Sequence, residues 1–145
     1  MANKLYKNIL LATDLSEHSD KIAKRAAAIA KSLGAKLNIV HVAAHTPIAY
    51  AGEFSIPVDA EFECALEKQA KARLAKLGKK YNIAAKSQYL AQGSVKMAVT
   101  DLAKKIKADL IVVGTHGHEG FDLLLGSQAN AILHAAKCDV WVIRI

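Results

Sequence analysis

Two clusters of residues have types and spacing suited to chemistry. The first is Ala12-Thr13-Asp14-Leu15-Ser16, which closes an apolar run near the start of the chain. A carboxylate at the end of a buried strand can accept from a sugar hydroxyl or a base amine, or hold a metal beside phosphates. Asp14 and Ser16 can equally satisfy the free N–H groups of a following helix. The second cluster is Gly114-Thr115-His116-Gly117, then eight residues, then Gly126-Ser127. Glycines admit a backbone close to a ligand. The free N–H groups at Ser127, Gln128 and Ala129 can bind phosphate if a helix starts there, aided by its dipole. A glycine-rich turn capped by Ser127 is the plainer reading. The loop is neither a Walker A sequence nor the Gly-x-Gly-x-x-Gly dinucleotide fingerprint.

Other reactive side chains form no set. His116-x-His118 with Glu119 beside it falls short of the converging ligands that zinc needs, and His41 lies within an apolar run, so no metal site is expected. Cys64 and Cys138 make neither a disulfide framework nor a ligand set. No Gly-x-Ser-x-Gly elbow and no nucleophile with an evident base occurs.

The elements that must position the two clusters follow from periodicity. Apolar runs at Tyr6–Thr13, Lys36–Ala43, Ala85–Ala91, Ala108–Gly114 and Val140–Ile145 read as buried strands. Helical spacing separates them. Ser16 is the expected N-cap and Gly34 the stop of the first helix. Asp59 is the expected cap of the second, whose apolar positions are Phe62, Leu66, Ala70, Leu74 and Leu77. Gly93-Ser94 opens the third and Ser127 the fourth. Five strands alternating with four helices imply one α/β domain over residues 1–145, a doubly wound parallel sheet with helices on both faces. Ligands of such sheets sit beyond the carboxyl ends of the strands. Both clusters lie there.

Composition narrows the class. The chain has 145 residues, 20 Lys+Arg against 13 Asp+Glu, and is 52% hydrophobic. No apolar run reaches the ~18–20 residues of a membrane span, and no signal peptide is read. A soluble, cytoplasmic protein is the expectation. The charge of +7 is spread over helix faces, densest from Lys68 to Lys80, and no nucleic-acid motif accompanies it.

The blocks KNILLATDLS, IVHV, DLIVVGTHG and LLLGSQANAILHAAKCDVWVIRI, in that order, resemble the universal stress protein family and its UspA-like branch. The resemblance spans essentially the whole chain. It implies strand order 3-2-1-4-5 and a homodimer, or a heterodimer with related stress proteins. The terminal strand (Val140, Trp141, Val142, Ile143, Ile145) would pack across the two-fold. Family members that bind ATP carry Gly-x2-Gly-x9-Gly-Ser/Thr, and the loop here is one residue shorter. Short loops mark the UspA-like branch, whose members often lack detectable nucleotide binding. Carried over position by position, ATP, ADP or AMP with Mg would meet Ala12, Thr13, Asp14 and Val42, with Gly114, Gly117, Gly126, Ser127 and Gln128 around the phosphates. The resemblance thus implies a stress-resistance protein acting by binding, with an ATP-dependent switch or a weak ATPase or nucleotidyl-transfer enzyme as the alternatives.

Two surface features point the same way. Loop 44–58 is long for a strand-to-helix connection and holds Tyr50, Phe54 and Ile56, which suits a lid or a dimer contact. An apolar final strand at a sheet edge calls for cover, which a second copy supplies.

Overall fold

Alternating apolar runs and amphipathic stretches become alternating strands and helices in the computed structural model, which describes residues 5–43, 50–51, 54–55, 60–115 and 127–144. The order is β1 (Asn8–Thr13), α1 (Ser19–Leu33), β2 (Lys36–Ala43), β3 (Tyr50–Ala51), β4 (Phe54–Ser55), α2 (Ala60–Lys80), β5 (Gln88–Gln92), α3 (Val95–Lys105), β6 (Leu110–Gly114), α4 (Ser127–Ala135) and β7 (Asp139–Ile143). Five strands form one parallel sheet in the order β5-β2-β1-β6-β7. Counting only these long strands, that is 3-2-1-4-5, as expected. Within the long connection, β3 and β4 form a separate antiparallel pair.

Side chains alternate across each strand, so the sheet feeds two cores. Ile9, Leu11, Ile39, Leu110 and Val112 pack with Ile22, Ala23, Ala26, Leu74 and Leu77 of α1 and α2. Leu10, Val40, Val42, Ile111 and Val113 pack with Val99, Ala103, Ala129 and Ile132 of α3 and α4. Buried alanines at 23, 26 and 30 give α1 a smooth face that settles close to the sheet. Gly34 ends α1 at φ 63°, a left-handed conformation that costs glycine little, and Ala35 N–H closes the turn on the Ala30 carbonyl at 2.8 Å.

Three local expectations shift and one holds. Ser16 does not cap α1; the helix starts at Ser19, after an intervening turn described below. The third long strand starts at Gln88, because a 3-10 turn over Ala85–Ser87 takes up the first part of the apolar run. The apolar stripe of α2 is buried at Leu74 and Leu77 and partly buried at Ala70, yet Leu66 is exposed; the Phe62 side chain lies outside the described residues. Ser94 does cap α3, accepting from Met97 N–H at 3.4 Å. Asp59 lies outside the described residues.

The amino-terminal ends of the central strands are tied by side chains. The Asp109 carboxylate accepts from Lys7 N–H at 2.9 Å and Asn8 N–H at 3.1 Å. Asn8 Nδ2 donates to the Ile106 carbonyl at 2.6 Å. Asn38, 1% exposed, donates to Asn8 Oδ1 at 2.7 Å and to the Ile9 carbonyl at 3.0 Å. Tyr6 donates to Asp139 at 2.7 Å and meets Trp141 edge-on at 6.0 Å between ring centroids. The hydrogen bond to Asp139 raises the Tyr6 hydroxyl above its ordinary pKa.

Candidate functional site

At the other end of β1 the chain turns through short-range bonds. Thr13 Oγ1 accepts from Leu15 N–H at 3.2 Å, and Asp14 Oδ1 accepts from Ser16 N–H at 2.9 Å. These are the local side-chain-to-backbone bonds that Thr and Asp favour over helix. Leu15 sits at φ 55°, with its side chain 5% exposed in the α1/α2 core. Its carbonyl accepts from the Arg73 guanidinium of α2. Ser16 then accepts at Oγ from His18 N–H at 3.3 Å, and at its carbonyl from Ser19 N–H at 3.0 Å. The turn uses up the capping capacity of Ser16 three residues before α1 begins. It leaves Asp14 exposed at the strand end.

A cleft of about 360 Å³ opens there. It gathers Ala12, Thr13 and Asp14 from the end of β1, Val42 from β2, Gly114 from β6 and Gln128 from α4. These six of the sequence-derived residues converge although they come from four elements. Ser127 is the first residue of α4. Gly117 and Gly126 lie outside the described residues, as do His116, His118 and Glu119. Among the described residues, no group of three or more His, Cys, Asp or Glu could hold a metal ion.

The apolar wall of the cleft is what residue spacing did not reveal. Val40, Val95, Val99, Val113 and Ile132 line it together with His41. The valines look like ordinary core positions in the sequence. The strand register, which sets Ala12 beside Val40 and Thr13 beside His41, places Val40, and the packing of α3 on the sheet brings Val95 and Val99 to it. Half-buried His41 reaches across with Nδ1 2.9 Å from the Thr13 carbonyl oxygen. The first amides of α4 have no intrahelical acceptor and carry the positive end of its dipole. An aliphatic slot, one exposed carboxylate and a helix N-terminus together suit a planar, largely apolar group joined to an anionic one.

The terminal strand lies at the sheet edge, paired only with β6 among the described residues. Val140 and Val142 are partly buried against the α3/α4 core, Ile143 is buried, and Trp141 is 38% exposed. Ile145 lies outside the described residues. Cys138 packs partly buried beside them, and burial pushes its thiol up, with Asp139 adding to the shift.

The sequence profile of the universal stress protein family matches residues 5–144. The chain belongs to the universal stress protein family. It is 50% identical over 135 residues to universal stress protein A homolog 1 of Coxiella burnetii, covering 93% of this chain and 94% of that one. The backbone is similar to universal stress protein UspA from Lactobacillus plantarum, with a TM-score of 0.80 and 27% identity over 98% of this chain and 100% of that one. It is also similar to a universal stress protein crystallised in complex with cAMP, with a TM-score of 0.68 and 26% identity over 96% and 97% of the two chains. These likenesses place the chain in the UspA-like branch. Among the described residues of this family member, no helix is long and apolar enough to cross a membrane.

Proposed function

We propose that this universal stress protein acts in stress resistance as a cytosolic binding protein whose carboxyl-end cleft takes an adenine nucleotide. One observation carries the reading: aliphatic side chains from β2, α3, β6 and α4 meet Asp14 and the N-terminus of α4 in a single cleft. Val40, Val42, Val95 and Val99 would enclose the base. The Asp14 carboxylate, with Oδ1 occupied by Ser16, would accept from the ligand at its other oxygen. The amides opening α4 would receive phosphate, and bound Mg would offset its charge. The cleft volume falls within the roughly 300–1,000 Å³ usual for small-molecule sites. The cAMP complex of a relative supports the same ligand class.

A second copy of the chain would cover the β7 edge and the exposed Trp141, giving a homodimer. Two measurements test the reading. Mass spectrometry of co-purified ligand is followed by calorimetric titration with Mg-ATP, ADP and AMP, and one micromolar site per chain is expected. An empty protein that gives no heat with any of the three overturns it. Sedimentation of Val142→Asp is expected to give monomer, and a variant still dimeric would place the interface elsewhere.

A further inference from the structure

Leu15, between β1 and α1, has φ 55°, a conformation that a bulky L side chain rarely adopts. Such strain persists only where the surroundings over-determine it, and it gathers at functional sites. Leu15 is held from three sides. Its side chain is buried in the α1/α2 core. Its N–H donates to Thr13 Oγ1 at 3.2 Å. Its carbonyl accepts from the Arg73 guanidinium, which reaches over from α2. The next N–H in the chain, that of Ser16, donates to Asp14 Oδ1 at 2.9 Å. The peptide unit between Leu15 and Ser16 is therefore gripped at both ends, by Arg73 at its oxygen and by Asp14 at its N–H. A peptide unit is planar, so turning its carbonyl away from Arg73 also turns its N–H away from Asp14.

The two grips come from opposite faces of the sheet. Leu10 and Ala12 pack on the α3/α4 side, and Leu11 and Leu15 on the α1/α2 side. Asp14 continues the first set and lines the cleft. Arg73 is not among the cleft residues; it borders a separate hollow beside Ser19 and Asp20. The geometry points to Arg73 as a positioning residue of the cleft, holding the Leu15 carbonyl and so fixing the peptide whose N–H orients the Asp14 carboxylate. This rests on the proposed reading of the cleft as a nucleotide site in which Asp14 accepts from the ligand. A cation on the carbonyl also polarises the peptide and makes its N–H a stronger donor to the carboxylate. The effect of Arg73 passes through Asp14, so removing Arg73 costs no more affinity than removing Asp14.

Two experiments test the inference. In the first, Mg-ATP is titrated calorimetrically into the full-length wild type, Arg73→Met, Asp14→Ala and the double variant. Arg73→Met is expected to bind about five- to tenfold more weakly than the wild type, and in the Asp14→Ala background the same change should make no further difference. Arg73→Lys keeps a donor for the carbonyl and is expected to bind within about twofold of the wild type. Unchanged affinity in Arg73→Met, an equal loss in Arg73→Lys, or a loss that persists without Asp14 each overturns the proposal and leaves the nucleotide site standing. The second experiment, amide hydrogen exchange, needs no ligand. The Ser16 N–H is expected to exchange about fivefold faster in Arg73→Met, while core strand amides such as Val112 keep their wild-type rates. Unchanged Ser16 exchange overturns the proposal whatever the cleft binds. No Mg-ATP binding by the wild type, with Ser16 exchange faster in Arg73→Met, overturns the nucleotide reading and the positioning role with it.

Discussion

At the amino-terminal ends of the strands, side chains reach across long stretches of sequence; at the carboxyl ends they reach two residues or so. Asp109 holds the amides of Lys7 and Asn8, Asn38 holds Asn8, and Tyr6 holds Asp139. Thr13, Asp14 and Ser16 each bond only two residues ahead. His41 and Arg73 are the exceptions, and both grip backbone carbonyls of the β1–α1 turn. The two finishes have different results. Long-range bonds fasten strands and helices to one another and occupy the groups that make them. Short-range bonds shape a turn and leave Asp14 exposed at the strand end. One end of the sheet is tied across the fold, and the other closes on itself.

The largest expected effect breaks the amino-terminal end. Asp109→Ala removes the carboxylate from two backbone amides and should cost about 2–3 kcal/mol in urea unfolding, with nucleotide affinity unchanged. A loss below about 0.5 kcal/mol would show that water replaces the carboxylate. Asp14→Ala should do the converse: about tenfold weaker nucleotide binding by calorimetry, with less than about 1 kcal/mol lost in unfolding. If its stability fell as far as that of Asp109→Ala, the contrast between the two ends would collapse.

The smallest effect lies on the flank joining them. Lys80 donates to Asp20 at 2.6 Å and Tyr81 donates to it at 2.8 Å. The Lys80 ammonium, and then the Tyr81 hydroxyl, hold the Asp20 carboxyl below its ordinary range. The folded pKa is the lower one, so this contribution is complete above the unfolded carboxylate value of about 3.9. It is lost as pH falls through the depressed folded value. The pair is exposed, and its contribution is small and screened by salt. Unfolding curves of Lys80→Met taken across the acid range should show a flatter pH dependence than the wild type at low salt. A difference that survives high salt would mean that Lys80 acts through packing.

Strand and helix periods were legible because the central strands β1, β2 and β6 are apolar runs buried on both faces, and α1 and α3 each bury an apolar stripe. Strand order was legible through the family resemblance, and the structure has that order. Asp14, Gly114 and Gln128 could be named because strand ends and helix starts are where such sheets bind, whereas Val42 was legible only through the family resemblance. Asp109 and Asn38 escaped notice because a lone polar residue in a strand run carries no periodic signal; its value lies in partners that only the register supplies. His41 was visible but looked like a strand interior residue. The turn at Ser16 was misjudged for a related reason. Its neighbours Thr13 and Asp14 compete for the same backbone amides, and spacing does not say which wins.

One pairing sets the order in which the molecule can be finished. β1 precedes the other four strands of its sheet and is the centre of it, yet one of its two neighbours is β6, and Asn8 and Asp109 are 101 residues apart. On a ribosome, β1, β2 and β5 can align while the rest of the chain is still being made. The cleft needs β6 and α4 as well, so it exists only after the last third of the chain has docked.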